Sequence, residues 1–176
     1  MGWSFKLHGG ISAGLSAFLL LLAALTWLPG TLPLVESAWL TVAVVLLLFP
    51  IIAAALLRVL LTRADRHSVW LAFRCLPGAV QGALGSLVVS GVVVLLVSMA
   101  GAGNLQSAQI RDGRYFVLDT TPYERGRIEV SQSQYVTVLE SDQRSMLAIP
   151  SFLFAAAAYL ALAAGELRRA DAGPGT

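Results

Sequence analysis

Asp119, Glu124 and Glu129 are the closest thing in this chain to a chemical constellation. Carboxylates gathered in one stretch can bind a hard cation through oxygen or share general acid and base work. Their spacing fits no EF-hand loop, and Arg125 and Arg127 stand among them as neutralising neighbours. Solvated charges on a hairpin are the simpler expectation. His8 and His67 are the only histidines, far apart and without a ligand-spaced companion, which argues against a metal site. Cys75 is the single cysteine, so no intrachain disulfide and no Cys-based zinc site can form. Beside an apolar run it reads as a small apolar filler. No P-loop, no G-x-G-x-x-G after a strand, no G-x-S-x-G and no H-E-x-x-H occurs. The expectation is a protein that is not an enzyme, with no catalytic residue, metal or cofactor.

Residues suited to binding are better represented. Tyr115, Phe116, Tyr123 and Tyr135 lie in one segment with Arg114, Arg125 and Arg127. Tyr and Arg are over-represented among residues that carry binding energy. This segment, 109–144, is the expected recognition surface. Packing of the same aromatics against the membrane surface is the competing reading. Arg58, Arg63, Arg66 and Arg74 surround His67 and stand against a single Asp65. Such a loop suits lipid headgroups. Gly78, Gly82, Ser86 and Ser90 recur every four residues, and Gly10 and Gly14 do so near the start. Faces of this kind let helix backbones approach closely. Packing within the chain is expected first, and contact with a partner's helix or a second copy next.

The elements that position these residues follow from composition. Of 176 residues, 57% are hydrophobic and 12% charged, about half the roughly 25% charge of a soluble domain. The mean hydropathy is +0.75. These values exclude a disordered chain, an ordinary soluble enzyme and a nucleic-acid binder with a basic face. The net charge of +2 is too small to imply an anionic partner. Spanning the hydrocarbon takes about 20 mostly apolar residues. Four stretches fit: Ile11–Leu28, Ala38–Leu57, Ala79–Ala100 and Leu147–Ala164, none holding Asp, Glu, Lys, Arg or His. That absence argues against a proton-coupled transporter or an intramembrane protease. The first stretch is longer than a signal-peptide core and lacks an A-x-A site. Trp3, Trp27, Trp39 and Trp70 fall near span ends, as an aromatic belt would. Gln81, the most polar member of the third stretch, is expected to bond a neighbouring helix or a headgroup.

The connection Pro29–Ser37 has no Lys or Arg, whereas Arg58–Gly78 has four Arg. The positive-inside rule then predicts both termini inside, together with Lys6, Arg168 and Arg169. Between spans three and four, Arg114–Leu118 and Arg127–Val130 read as strands joined by turn chemistry at Asp119–Gly126. Ser131 and Gln134 fit a capping box opening a helix that runs toward Leu147, with a kink expected at Pro150. The predicted fold is an all-α, four-helix transmembrane bundle with a small extracytoplasmic β-hairpin plus helix. Its parts are 1–101, 102–146 and 147–176. Eleven of twelve basic residues are Arg, a usage typical of GC-rich bacteria, so a bacterial cytoplasmic membrane is the expected location. The bilayer, another membrane or envelope protein, and a second copy are the expected partners, with no nucleic acid. The leading expectation for function is a partner-binding or accessory protein. An oligomeric channel or transporter subunit stands second, and an enzyme of lipid or envelope precursors third.

Overall fold

A computed structural model of the chain describes residues 2–28 and 38–173. The connection Pro29–Ser37 and the end of the tail, both assigned from sequence, lie outside the described residues. Among the described residues, five helices and three strands follow in order: α1 Trp3–Leu25, α2 Ala38–Thr62, α3 Arg66–Arg74, α4 Gly78–Ala102, β1 Leu105–Arg111, β2 Arg114–Asp119, β3 Gly126–Glu129 and α5 Gln132–Asp171. Helices α1, α2, α4 and α5 are long and apolar enough to cross a membrane. By that length and composition the chain is a multi-pass membrane protein. Its outer band agrees: Leu46, Phe49, Leu60, Val89 and Leu96 all lie exposed. In water such a contiguous apolar surface would be a liability, and in hydrocarbon it is the solvated face.

Helix α5 is the axis of the molecule. It has 40 residues, about 60 Å at 1.5 Å per residue, roughly twice the hydrocarbon thickness. It passes Pro150 without a break, so the outer helix and the fourth span are one element. The other four helices and strands β1 and β2 all pack on it. Crowding from several sides explains its composition. Ala155, Ala157, Ala158, Ala161, Ala163 and Ala164 are almost fully buried, and their small side chains let neighbouring backbones approach.

Contacts fix the direction of packing. Along α1 and α5 they run Thr26 to Arg144, Ser16 to Ser151 and Phe5 to Arg168, so the two helices are antiparallel. Helix α4 also meets α5 head to tail, with Ser141 near Ser98 and Ala148 near Gly91. The start of α1 and the end of α5 therefore share one end of the bundle, and the sheet lies at the other. The apolar core includes Leu19, Leu20, Val94, Leu147 and Phe154. Hydroxyl bonds cross it. Ser151 Oγ donates to the Ser16 carbonyl at 3.0 Å, the Ser16 and Ser151 hydroxyls bond each other at 3.0 Å, and Ser141 Oγ donates to the Ser98 carbonyl at 2.7 Å.

The Arg58–Gly78 connection, read from sequence only as a loop, contains α3. Asp65 caps it by accepting the Ser68 N–H at 3.0 Å, and Val69 and Ala72 bury its apolar side against Ala163. The sheet is antiparallel in the order β1-β2-β3. The expected hairpin is β2–β3, with Phe116 opposite Glu129 and Asp119 opposite Gly126. Strand β1 is an addition. It joins β2 through Asp112 and Gly113, both at positive φ (49° and 75°), with Arg111 paired to Arg114. A two-residue hairpin loop needs that backbone, and Asp-Gly supplies it.

Candidate functional site

Both ends of the bundle carry polar groups. At the sheet end the capping box forms as expected. Ser131 Oγ accepts the Gln134 N–H at 3.3 Å and Gln134 Oε1 accepts the Ser131 N–H at 3.2 Å. Strand β1 breaks its register between Gln106 and Gln109, and Ser107 takes φ 56° there. A bulge of this kind re-aims backbone groups. Here the Ala108 N–H donates to the Asp142 carboxylate of α5 at 3.3 Å. Tyr115 meets Tyr135 with ring centroids 5.0 Å apart, and Val117 is fully buried. Tyr115, Val117 and the helix thus clamp one face of the sheet.

These contacts divide the expected recognition residues. Tyr115 and Tyr135 join the sheet to α5. Phe116 alternates to the opposite face, with Gln109 and Glu129 beside it in register. Arg127 shares that face, opposite Leu118. Tyr123 and Arg125 sit in the loop between β2 and β3 and are exposed. Tyr123 holds φ 73°, a left-handed backbone unusual for a residue with a Cβ. That loop begins level with the end of α4. Leu105 pairs with Asp119, and the Thr120 N–H and hydroxyl donate to the Asn104 carbonyl at 2.9 and 2.7 Å.

The three acids weighed for cation binding or catalysis do not converge. Asp119 accepts from the Thr121 hydroxyl at 2.6 Å and the Thr121 N–H at 2.8 Å. Those two bonds, the hydroxyl's first, hold its carboxyl below the ordinary value. Glu129 pairs with Arg114 at 3.4 Å, and Glu124 lies exposed in the loop. Among the described residues, no group of three or more His, Cys, Asp or Glu is placed to hold a metal. His8 sits within α1 and His67 is exposed on α3.

Arg144 requires a correction. Its sequence position places it with the outer loop, yet it is 8% exposed. Its Nε donates to Thr26 Oγ1 at 3.0 Å, its Nη2 pairs with Glu140 at 2.7 Å, and its guanidinium lies 5.2 Å from the Trp27 ring centroid. A guanidinium tolerates such burial because a hydroxyl, a carboxylate and an aromatic face each take part of its charge. Gln143 is buried beside it, with neither side-chain amide atom bonded to another described residue. It lines a cleft of about 100 Å³ between α2 and α5, together with Thr41 and Pro150.

The small-residue faces need a second correction. A Cβ built on Gly10, Gly14, Gly78 or Gly82 would meet nothing within 4 Å, and Ser86 and Ser90 are exposed. Among the described residues, these six do not pack within the chain. Packing uses the neighbouring register instead: Gly9, Ser12 and Ser16 on α1, and Leu84, Gly91, Val94 and Ser98 on α4. A Cβ on Gly9 would fall 2.5 Å from Leu162 Cγ. The governing small-residue surface lies on α5, where Ala157, Ala161 and Gly165 stand four residues apart and are buried among further alanines.

At the other end, Arg58 reaches across to α1. It donates to the Ser4 carbonyl at 3.0 Å and covers the Phe5 ring at 4.6 Å. That ties α2 to α1 while Arg58 stays half-exposed, and Arg63, Arg66 and Arg74 are exposed. Gln81 Nε2 donates to the Leu76 and Arg74 carbonyls at 2.7 and 3.1 Å, bonding across the turn before α4 to the last residue of the neighbouring helix α3, as expected. No family model, curated protein or solved structure matches the chain.

Proposed function

We propose that this multi-pass protein is a non-enzymatic membrane protein that binds a partner through its three-stranded sheet. The observation that carries the reading is the two-sidedness of that sheet. One face is clamped to α5 by the Tyr115–Tyr135 contact and the Asp142 bond. The opposite face carries Phe116 and Arg127 beside an exposed loop with Tyr123 and Arg125. A rigid scaffold under an aromatic and arginine surface suits recognition. The engagement of Asp119 and Glu129 in turn and ion-pair bonds supports a binding role over hydrolysis.

The orientation belongs to the same proposal. Lys6, Arg58, Arg63, Arg66, Arg74, Arg168 and Arg169 sit on segments at the end opposite the sheet, which the positive-inside rule places in the cytoplasm. The sheet then faces outward from a bacterial cytoplasmic membrane. A second reading rests on the position of the β2–β3 loop beside the end of α4, where Tyr123 would anchor the sheet among headgroups. Replacing Asp119–Gly126 with a Gly/Ser loop separates the two. Loss of partner capture in mild detergent, with insertion intact, is expected. Normal capture would move recognition to the bundle and favour an oligomeric channel or transporter subunit.

A further inference from the structure

At the end of the bundle opposite the sheet, α1 and α4 both lean on α5 without closing on each other. Between them lies a groove of about 860 Å³, within the range of pockets that hold whole small molecules. Its walls are small. Gly10 and Ala13 face it from α1, and Ala79 and Ala83 from α4, with Leu162 of α5 also lining it. The open space beside Gly10 belongs to this groove, which gives that exposed glycine a use that helix packing does not.

The groove is apolar along its length and charged at its mouth. Lys6 and Arg169 line it together with Glu166. Arg169 pairs with Glu166 at 3.6 Å, and the Glu166 side chain is only 14% exposed. Among the described residues Lys6 has no ion-pair partner. Two cations and one carboxylate leave the rim with a net positive charge. A helix-lined apolar slot opening at a cationic rim matches one ligand class in a bilayer, an amphiphile with a hydrocarbon chain and an anionic head. We propose that the α1–α4 groove binds an anionic phospholipid, with one acyl chain against Gly10, Ala13 and Ala83 and the phosphate between Lys6 and Arg169.

Cys75 lines the groove and is exposed, so it reports occupancy in the unaltered protein. The full chain in mild detergent would be alkylated at Cys75 in the presence of phosphatidylglycerol, phosphatidylcholine or glycerol 3-phosphate. Phosphatidylglycerol alone is expected to slow the reaction. Lys6→Gln or Arg169→Gln is expected to weaken that protection about fivefold each. Gly10→Phe, which fills the slot and leaves both cations, is expected to abolish it. Equal protection by the two lipids overturns the proposal, as does protection by glycerol 3-phosphate. So does protection that needs no lipid and grows with protein concentration, because a second copy then fills the groove. Should a variant fail to fold, the comparison of lipids on the unaltered chain still decides.

Discussion

Arg144 shows how one side chain ties distant elements together. Its guanidinium joins Thr26 at the end of α1 to Glu140 on α5. Removing it leaves a partly buried carboxylate without its cation, and breaking a buried pair in that way costs about 3 kcal/mol. Arg144→Ala is expected to lower thermal stability in detergent by that order. Arg144→Ala with Glu140→Gln should recover part of the loss, and equal melting of the single and double variants would deny the coupling. The adjacent glycines give a sharper contrast. Gly9→Val should cost about 1–3 kcal/mol by overpacking against Leu162, whereas Gly10→Val should leave stability unchanged because nothing lies within 4 Å. Similar melting temperatures for the two would mean that α1 is rotated from the position described. Here the sequence was legible only in part. Four-residue spacing picks out Gly10 and Gly14, but nothing local distinguishes that stripe from Gly9, Ser12 and Ser16. The choice is made by Leu162, more than a hundred residues away. Arg144 was illegible for the same reason, since its partners Thr26 and Trp27 lie just past the end of another helix.

At the scale of elements, local signals were sufficient for the β2–β3 hairpin and for the cap of α5. Ser131 and Gln134 announce the start of α5, and the strand formers and turn residues announce β2 and β3. Two equally local signals went unused: Asp112-Gly113, which makes the β1–β2 turn, and Asp65 followed by Ser68, which caps α3. The Asp65 cap and the Asp119 turn both predict acid sensitivity. The Ser68 hydroxyl and then its N–H hold Asp65 below the ordinary carboxyl value, and Thr121 does the same for Asp119. A depressed folded value means the stabilisation is present above the unfolded pKa, about 3.9. It is lost as pH falls through the folded value. The amide signals of Ser68 and Thr121 should therefore titrate below about pH 4. Asp65→Asn, which keeps an N-cap acceptor, should abolish the Ser68 titration and leave that of Thr121. Between elements, the Ser16–Ser151 bonds join α1 to α5. Ser151→Ala should cost about 0.6 kcal/mol, the average for such bonds in membranes. A loss well above 2 kcal/mol would point to a defect beyond these hydrogen bonds.

For the whole molecule, apolar runs of spanning length determine the architecture, and the four spans were legible because each run is long and uninterrupted. What composition does not encode is which span lies at the centre. The most hydrophobic helix, α2, is the most peripheral, with only Ala55 fully buried among its described residues. The centre is α5, rich in alanine. In lipid, tail and side chain are equally apolar, so hydrophobicity marks a face that meets lipid and small size marks a face that meets protein. The polar residues then follow the axis. One end of α5 holds the sheet and Arg144, and the other holds Glu166, Arg168 and Arg169 near Phe5 and Cys75. With four spans, the Cys75 end and the Tyr123 end lie on opposite sides of the bilayer, and in the orientation proposed above Cys75 faces the cytoplasm. A membrane-impermeant maleimide should therefore leave Cys75 unmodified in intact cells and modify it once the membrane is opened. Tyr123→Cys, in a Cys75→Ser background, should react in intact cells, since Tyr123 is fully exposed. The reverse pattern would invert the orientation while keeping the fold. Modification of both sites in intact cells would place them on one side and remove a span.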